Sequence, residues 1–213
     1  MDYHKKTVGF APAVLSFEND TPFSAEYDDI YFSKSGGIAE SQHVFLNANQ
    51  FETRFAKAVT AFTIAETGFG TGLNFLLTAR LWLEHAPKSA TLHYISIEKH
   101  PIDVATLTQL YTCHPLTFEW NGLVASYPLL VSGVHTRLLY NNRVRLTLLF
   151  ADIADAMSAI PVNSVDAWFF DGFSPAKNPD MWQDANLIQA AERTKQGGTF
   201  ATFTAAGSVK RAL

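Results

Sequence analysis

The chain has 213 residues but only one cysteine, Cys113, so it can form no intrachain disulfide, and Thr-Cys-His-Pro offers no partner at metal-ligand spacing. We read Cys113 as a packing residue. The seven histidines form no HExxH pattern and no Cys/His pairing, so a metal site has no sequence support. No apolar run reaches the roughly 18 residues that a membrane helix needs. The opening MDYHKKTVGFAPAVLSF lacks a long apolar stretch followed by a small-residue cleavage site, which argues against a secretory signal. A soluble, cytoplasmic protein without a membrane partner is the expectation. Excess positive charge is missing too: 16 Lys and Arg against 20 Asp and Glu give a net charge of -4. That balance would ordinarily argue against nucleic acid, because phosphate neutralisation needs clustered cations. Two stretches without carboxylates depart from it, one holding Arg137, Arg143 and Arg145 and the other Arg193, Lys195, Lys210 and Arg211. Each is a local basic patch or simply a solvated face.

What is present is a globular composition, 47% hydrophobic and 17% charged, on a chain long enough to bury roughly 70% of its unfolded surface. Residues 1–60 have mixed polarity with turn signals at Asn19-Asp20-Thr21-Pro22 and Lys34-Ser35-Gly36-Gly37, and read as an N-terminal extension ending in a helix near 38–57. Residues 61–213 are regular. AFTIAET (61–67), LHYISIE (92–98), VRLTLLFAD (144–152), VDAWFFD (165–171) and GTFATFT (198–204) are short runs rich in β-branched and aromatic residues, and they predict strands. Helical stretches alternate with most of them, notably 73–85, where Arg80 and Glu84 stand at i,i+4 spacing. The alternation predicts one α/β domain overall, with a mostly parallel Rossmann-like sheet covered by helices on both faces. Asn141-Asn142 between two apolar runs predicts a hairpin that adds an antiparallel neighbour.

Three motifs carry chemistry. ETGFGTGLNF (66–75) follows the first core strand and opens a helix. Gly68, Gly70 and Gly72 let the backbone turn tightly and approach a ligand, and the helix start offers unpaired amides. Leu73 stands where a dinucleotide fingerprint needs its third glycine, so the G-x-G-x-x-G pattern is absent. Glu66 would suit a ligand with positive groups, such as S-adenosylmethionine, and repel a pyrophosphate; the alternative is a purely structural turn. In ISIEKHP (95–101), Glu98 ends the next strand, where a carboxylate accepts from ribose hydroxyls, or else is a surface residue before a helix. Asp152 ends a third strand and either accepts from an adenine amine or caps a helix. In FFDGFSPAKNPDMW (169–182), Asp171 ends a buried strand, Gly172 allows a sharp turn and Phe173 offers a ring for base stacking. Asp171 is the candidate catalytic residue, against the alternative of a carboxylate bonding local amides. Lys177 is a candidate phosphate contact or an idle surface lysine.

Together with YDDIYFSKSGGIAESQHVFLNAN (27–49) and GGTFATFTAAG (197–207), these motifs resemble, in order, the methyltransferase domain of the MnmC tRNA-modification family. The resemblance implies S-adenosylmethionine-dependent methylation of the amine in 5-aminomethyl-2-thiouridine at the tRNA wobble position. It implies cofactor contacts at Glu66, Gly68, Gly70, Gly72 and Glu98, and a substrate side formed by Asp171 with Phe173; Asn74 and Asp152 are further candidate cofactor contacts, and Tyr31 and Lys177 further candidate substrate contacts. Family members often fuse this domain to an FAD-dependent oxidase. None fits here, so no FAD is expected in this chain and an oxidase would be a separate or missing partner. The chain ends at Val209-Lys210-Arg211-Ala212-Leu213, where the family continues into a closing β-hairpin, so the sheet is expected to lack that hairpin. Two rival readings remain: a methyltransferase acting on a small-molecule amine, and a shortened non-catalytic module that binds tRNA or a protein.

Overall fold

The computed structural model describes residues 11–18, 21–24, 26–31, 36–112 and 114–204; Cys113, Lys210 and Arg211 lie outside them. A three-stranded antiparallel sheet comes first, β1 (Leu15–Glu18), β2 (Thr21–Ser24) and β3 (Asp29–Ile30). The main sheet has six strands: β4 (Ala61–Thr67), β5 (Thr91–Glu98), β6 (Gly133–Leu139), β7 (Val144–Phe150), β8 (Val165–Phe170) and β9 (Thr194–Thr202). Their order is β6-β7-β5-β4-β8-β9, and every pair is parallel except β6 with β7. This is the expected Rossmann-like arrangement, and β6–β7 is the hairpin signalled by Asn141-Asn142. Tyr140, Asn141 and Asn142 all take positive φ (52°, 56° and 64°), a conformation that asparagine tolerates better than most residues.

Residues alternate between the two faces of each strand, and each face builds its own core. In β8, Ala167 and Phe169 join the larger cluster with Phe45, Phe51, Phe55, Trp82, Leu92 and Leu146. Trp168 and Phe170 point the other way and pack with Ile97, Leu149, Met157 and Leu187. The helices over these faces include α1 (Gly37–Ser41), α2 (Phe51–Ala56), α3 (Leu73–His85), α4 (Val104–Tyr111), α5 (Thr117–Val124), α6 (Ile153–Ala156) and α7 (Asp184–Arg193). No described helix is long and apolar enough to cross a membrane.

Two expectations are corrected. The single helix near 38–57 is instead α1, a π-helical turn at Gln42–Asn47, a left-handed Gln50 (φ 53°) and α2. Phe45 and Phe51 are six positions apart, which on an unbroken helix puts them on different faces; the wider turn and the break bring both into one core. Arg80 forms its fork not with Glu84 but with Glu119 of α5, at 2.7 and 2.8 Å, because a bidentate bond to a buried carboxylate outcompetes an exposed pair.

Register decides where the acidic residues go. Glu66 pairs with Ser96 and Phe169, and Glu98 pairs with Phe150, so the carboxyl ends of β4, β5, β7 and β8 lie level. The chain runs from β4 to β5 and β7 on one side and to β8 and β9 on the other. Its topological switch point therefore falls between β4 and β8, the place where open α/β sheets bind ligands.

Candidate functional site

A cavity of about 420 Å³ opens at that edge, lined among others by Thr67, Gly68, Gly70, Asn74, Glu98, Asp152, Asp171 and Phe173. Between β4 and α3 the backbone turns through Gly68, Gly70 and Gly72, all at positive φ (87°, 51° and 80°). A Cβ on Gly68 would meet the Asp171 carbonyl oxygen at 3.0 Å, so this turn packs directly on the β8 loop. Thr67 reinforces the junction by donating its hydroxyl to the same carbonyl at 2.9 Å.

Glu98 is half-buried on the wall. One carboxylate oxygen accepts from the Gly70 amide at 2.8 Å and the other from the His100 amide at 2.7 Å. A carboxylate has about four acceptor positions, so both oxygens keep capacity for a ligand's hydroxyls. Asp152 does cap α6, accepting from the Ala154 amide at 3.1 Å, while its second oxygen pairs with Lys99 at 3.1 Å; it also lines the cavity. Asp152 is therefore a helix cap that also faces the cavity.

Glu66 lies behind the wall and does not line the cavity. It is 1% exposed, and its oxygens accept from Asn74 Nδ2 at 3.0 Å and Ser96 Oγ at 2.7 Å. Burial, and next the neighbouring Asp171 charge, push its carboxyl up to about 8. Asp171 is on the cavity side. Its Oδ2 accepts from the same Asn74 nitrogen at 2.7 Å and its Oδ1 from the Gly172 amide at 2.8 Å. Burial raises its carboxyl to about 6, against the opposing pull of those two hydrogen bonds. Near neutral pH it is mostly ionised and still basic enough to take a proton.

Aromatic rings form another part of the wall. Tyr27 stacks on Phe173 at 4.5 Å with 22° between planes, and Tyr31 meets Phe173 edge-on at 5.3 Å. Burial raises both tyrosine hydroxyls, Tyr27 to about 12. Lys177 does not line the cavity. Its ammonium bonds the Asp28 carbonyl and lies 3.8 Å from the Asp28 carboxylate and 3.9 Å from that of Asp29, tying the β8 loop to the β2–β3 segment.

The basic stretches are largely used within the fold. Arg143 donates to the carbonyls of Leu83 and Ala86, the buried Arg193 to that of Met157, and Lys195 pairs with Asp166 at 2.7 Å. Among the described residues no group of three His, Cys, Asp or Glu could hold a metal ion.

Residues 114–213 match a family of S-adenosyl-L-methionine-dependent methyltransferases. Over 204 residues the chain is 45% identical to the tRNA 5-methylaminomethyl-2-thiouridine biosynthesis bifunctional protein MnmC of Chromobacterium violaceum, covering 94% of this chain and 31% of that protein. The protein of the same name from Hydrogenovibrio crunogenus is 46% identical over 199 residues, 92% of this chain and 29% of the relative. The chain belongs to the S-adenosyl-L-methionine-dependent methyltransferases. It spans about a third of the length of these curated relatives. A crystal structure of MNMC2 from Aquifex aeolicus superposes with a TM-score of 0.76 over 95% of this chain and 63% of that one, at 22% identity, which shows a shared fold.

The methyltransferase cavity suits the cofactor. Gly68 and Gly70 of the turn line it, Glu98 has acceptor capacity that suits ribose hydroxyls, and Ile97, Asp152 and Ile153 line it as well. Sequence reasoning missed Tyr27, Ser96 and Lys99. Only Tyr27 carried a signal, its place in the aromatic-acid run YDDIY; the other two become relevant through strand register and a cross-loop ion pair.

Proposed function

We propose that this methyltransferase transfers a methyl group from S-adenosylmethionine to the primary amine of 5-aminomethyl-2-thiouridine at the tRNA wobble position, yielding the 5-methylaminomethyl nucleoside. The relatives' name supports the nucleoside and its tRNA context. The observation that carries the chemistry is Asp171, a carboxylate between a glycine turn of cofactor type and the rings of Tyr27, Tyr31 and Phe173.

When bound, the cofactor supplies an electrophilic methyl on a sulfonium, which leaves as a neutral thioether when an amine lone pair forms the new N–C bond. Asp171 aligns the amine through its carboxylate and takes the proton that the nitrogen loses on methylation. Glu98 would hold the ribose, and the glycine turn would admit the cofactor's amino-acid end. Phe173 and the two tyrosines exclude water and offer faces on which a base stacks. Lys177 holds the β2–β3 segment, and with it Tyr27 and Tyr31, against the acceptor side.

Mass spectrometry of nucleosides from tRNA carrying the aminomethyl group, incubated with protein and labelled cofactor, tests this reading. A labelled 5-methylaminomethyl-2-thiouridine supports it; unmodified tRNA overturns it. A small-molecule amine acceptor is the second reading, favoured by the net charge of -4 and by the internal bonding of Arg143, Arg193 and Lys195. Binding to tRNA that weakens steeply with salt decides for the nucleic acid.

A further inference from the structure

The carboxamide of Asn74 joins two carboxylates. Asn74 is the second residue of α3, immediately beyond the glycine turn, and is 4% exposed. Its Nδ2 donates one hydrogen to Asp171 Oδ2 at 2.7 Å and the other to Glu66 Oε1 at 3.0 Å. Glu66 is itself held by the Ser96 hydroxyl at 2.7 Å. An asparagine amide has two near-equivalent orientations, and only its nitrogen end donates. Turned over, it would set its oxygen against the Asp171 carboxylate in a buried site, so Asp171 selects the orientation seen and Glu66 accepts the amide's second hydrogen. We infer that Asn74 is a positioning residue for methyl transfer, fixing the direction of the Asp171 carboxylate, and that Glu66 fixes the direction of Asn74.

This inference rests on the reading of Asp171 given above, and it assigns Asn74 a role other than cofactor contact. Glu66 then needs no ligand of its own, which accounts for a carboxylate placed behind the cavity wall. The bridge also accounts for a polar side chain that turns inward in the first turn of α3. The titratable groups beside Asp171 are Glu66 from β4 and Tyr94 from β5.

A double-mutant cycle tests it. Asn74→Ala is expected to lower kcat about 10- to 100-fold, the scale of a misplaced catalytic group, with cofactor affinity by calorimetry unchanged. In an Asp171→Asn background the same substitution is expected to cost no more than about 3-fold, because residues acting through one another are not additive. Costs that multiply, or a loss of cofactor affinity, overturn the inference and make Asn74 a cofactor contact. Asn74→Ser gives the same comparison should the alanine variant not fold. An activity-independent readout separates this inference from the reading of the reaction: the Asp171 carboxyl, followed by NMR in aspartate-labelled protein, must titrate higher in the Asn74 variant, since the lost hydrogen bond favoured the ionised form. An unmoved Asp171 titration overturns the inference even if no acceptor is methylated; a moved one with no methylated tRNA leaves the bridge standing and overturns only the acceptor.

Discussion

The cofactor side of the cavity and its acceptor side are built from different materials. On the cofactor side the ends of β4, β5 and β7 present backbone amides and carboxylates at positions set by a regular register, as with Glu98 receiving Gly70 and His100. On the acceptor side, aromatic rings from the β2–β3 segment and the β8 loop meet each other outside the six-stranded sheet, and Lys177 ties the two segments together. Asp171 stands at the seam, its carbonyl held by Thr67 and its carboxylate by Asn74. The difference separates what each side is for. On the proposed reading, a cofactor common to many enzymes is met by sheet geometry, and an acceptor particular to one is met by loops.

The largest expected effect is at the seam. Asp171→Asn keeps the shape and removes the charge, and kcat should fall roughly 10²-fold or more, the general acid-base scale, with cofactor affinity little changed. Steady-state kinetics beside calorimetry reads both, and near-normal turnover would merge the seam with the inert wall. On the cofactor side, Glu98→Ala should weaken cofactor binding by about 1–3 kcal/mol, the usual cost of a lost bond to a charged group. An unchanged affinity would mean that the β5 end plays no part in holding the ribose.

Glu66 and Glu98 sharpen the comparison, since both stand near the carboxyl ends of neighbouring strands and the sequence treats them alike. Strand ends are legible as motifs. Burial depth is not, because Glu66 is covered by α3, whose inward-turned Asn74 is set by packing rather than by any local pattern. The core strands, their mostly parallel arrangement and the hairpin followed from hydrophobic periodicity and the Asn141-Asn142 turn. The break at Gln50 did not, because it answers to where Phe45 and Phe51 must go in three dimensions. Tyr27 escaped for the same reason: nothing near residue 27 indicates that Phe173 will stack on it.

The buried position of Glu66 also has a pH signature. Its carboxyl, ordinarily near 4.5, titrates at about 8 in the folded chain. Between those values the folded state keeps a proton that the unfolded chain has lost, so this group's contribution to stability declines as pH rises from about 4.5 to about 8. Glu66→Gln abolishes that decline. The melting temperature of the variant relative to wild type should therefore climb across the window and level off above it. A difference constant with pH would contradict the burial of Glu66. The smallest effect belongs to the exposed tie: Lys177→Ala should change stability by no more than about 1 kcal/mol, as solvent-screened ion pairs do. Denaturant unfolding checks it, and a larger loss would make the acceptor side a structural element and not a docked one.

The most direct test of the two-sided cavity is a crystal structure with S-adenosylhomocysteine, the product form of the cofactor. The account predicts its ribose hydroxyls on Glu98, its amino-acid end at the Gly68–Gly72 turn, and its sulfur directed toward Asp171, with Asn74 still bridging Asp171 and Glu66. A ligand whose sulfur faces away from Asp171, or whose ribose lies off Glu98, would contradict it.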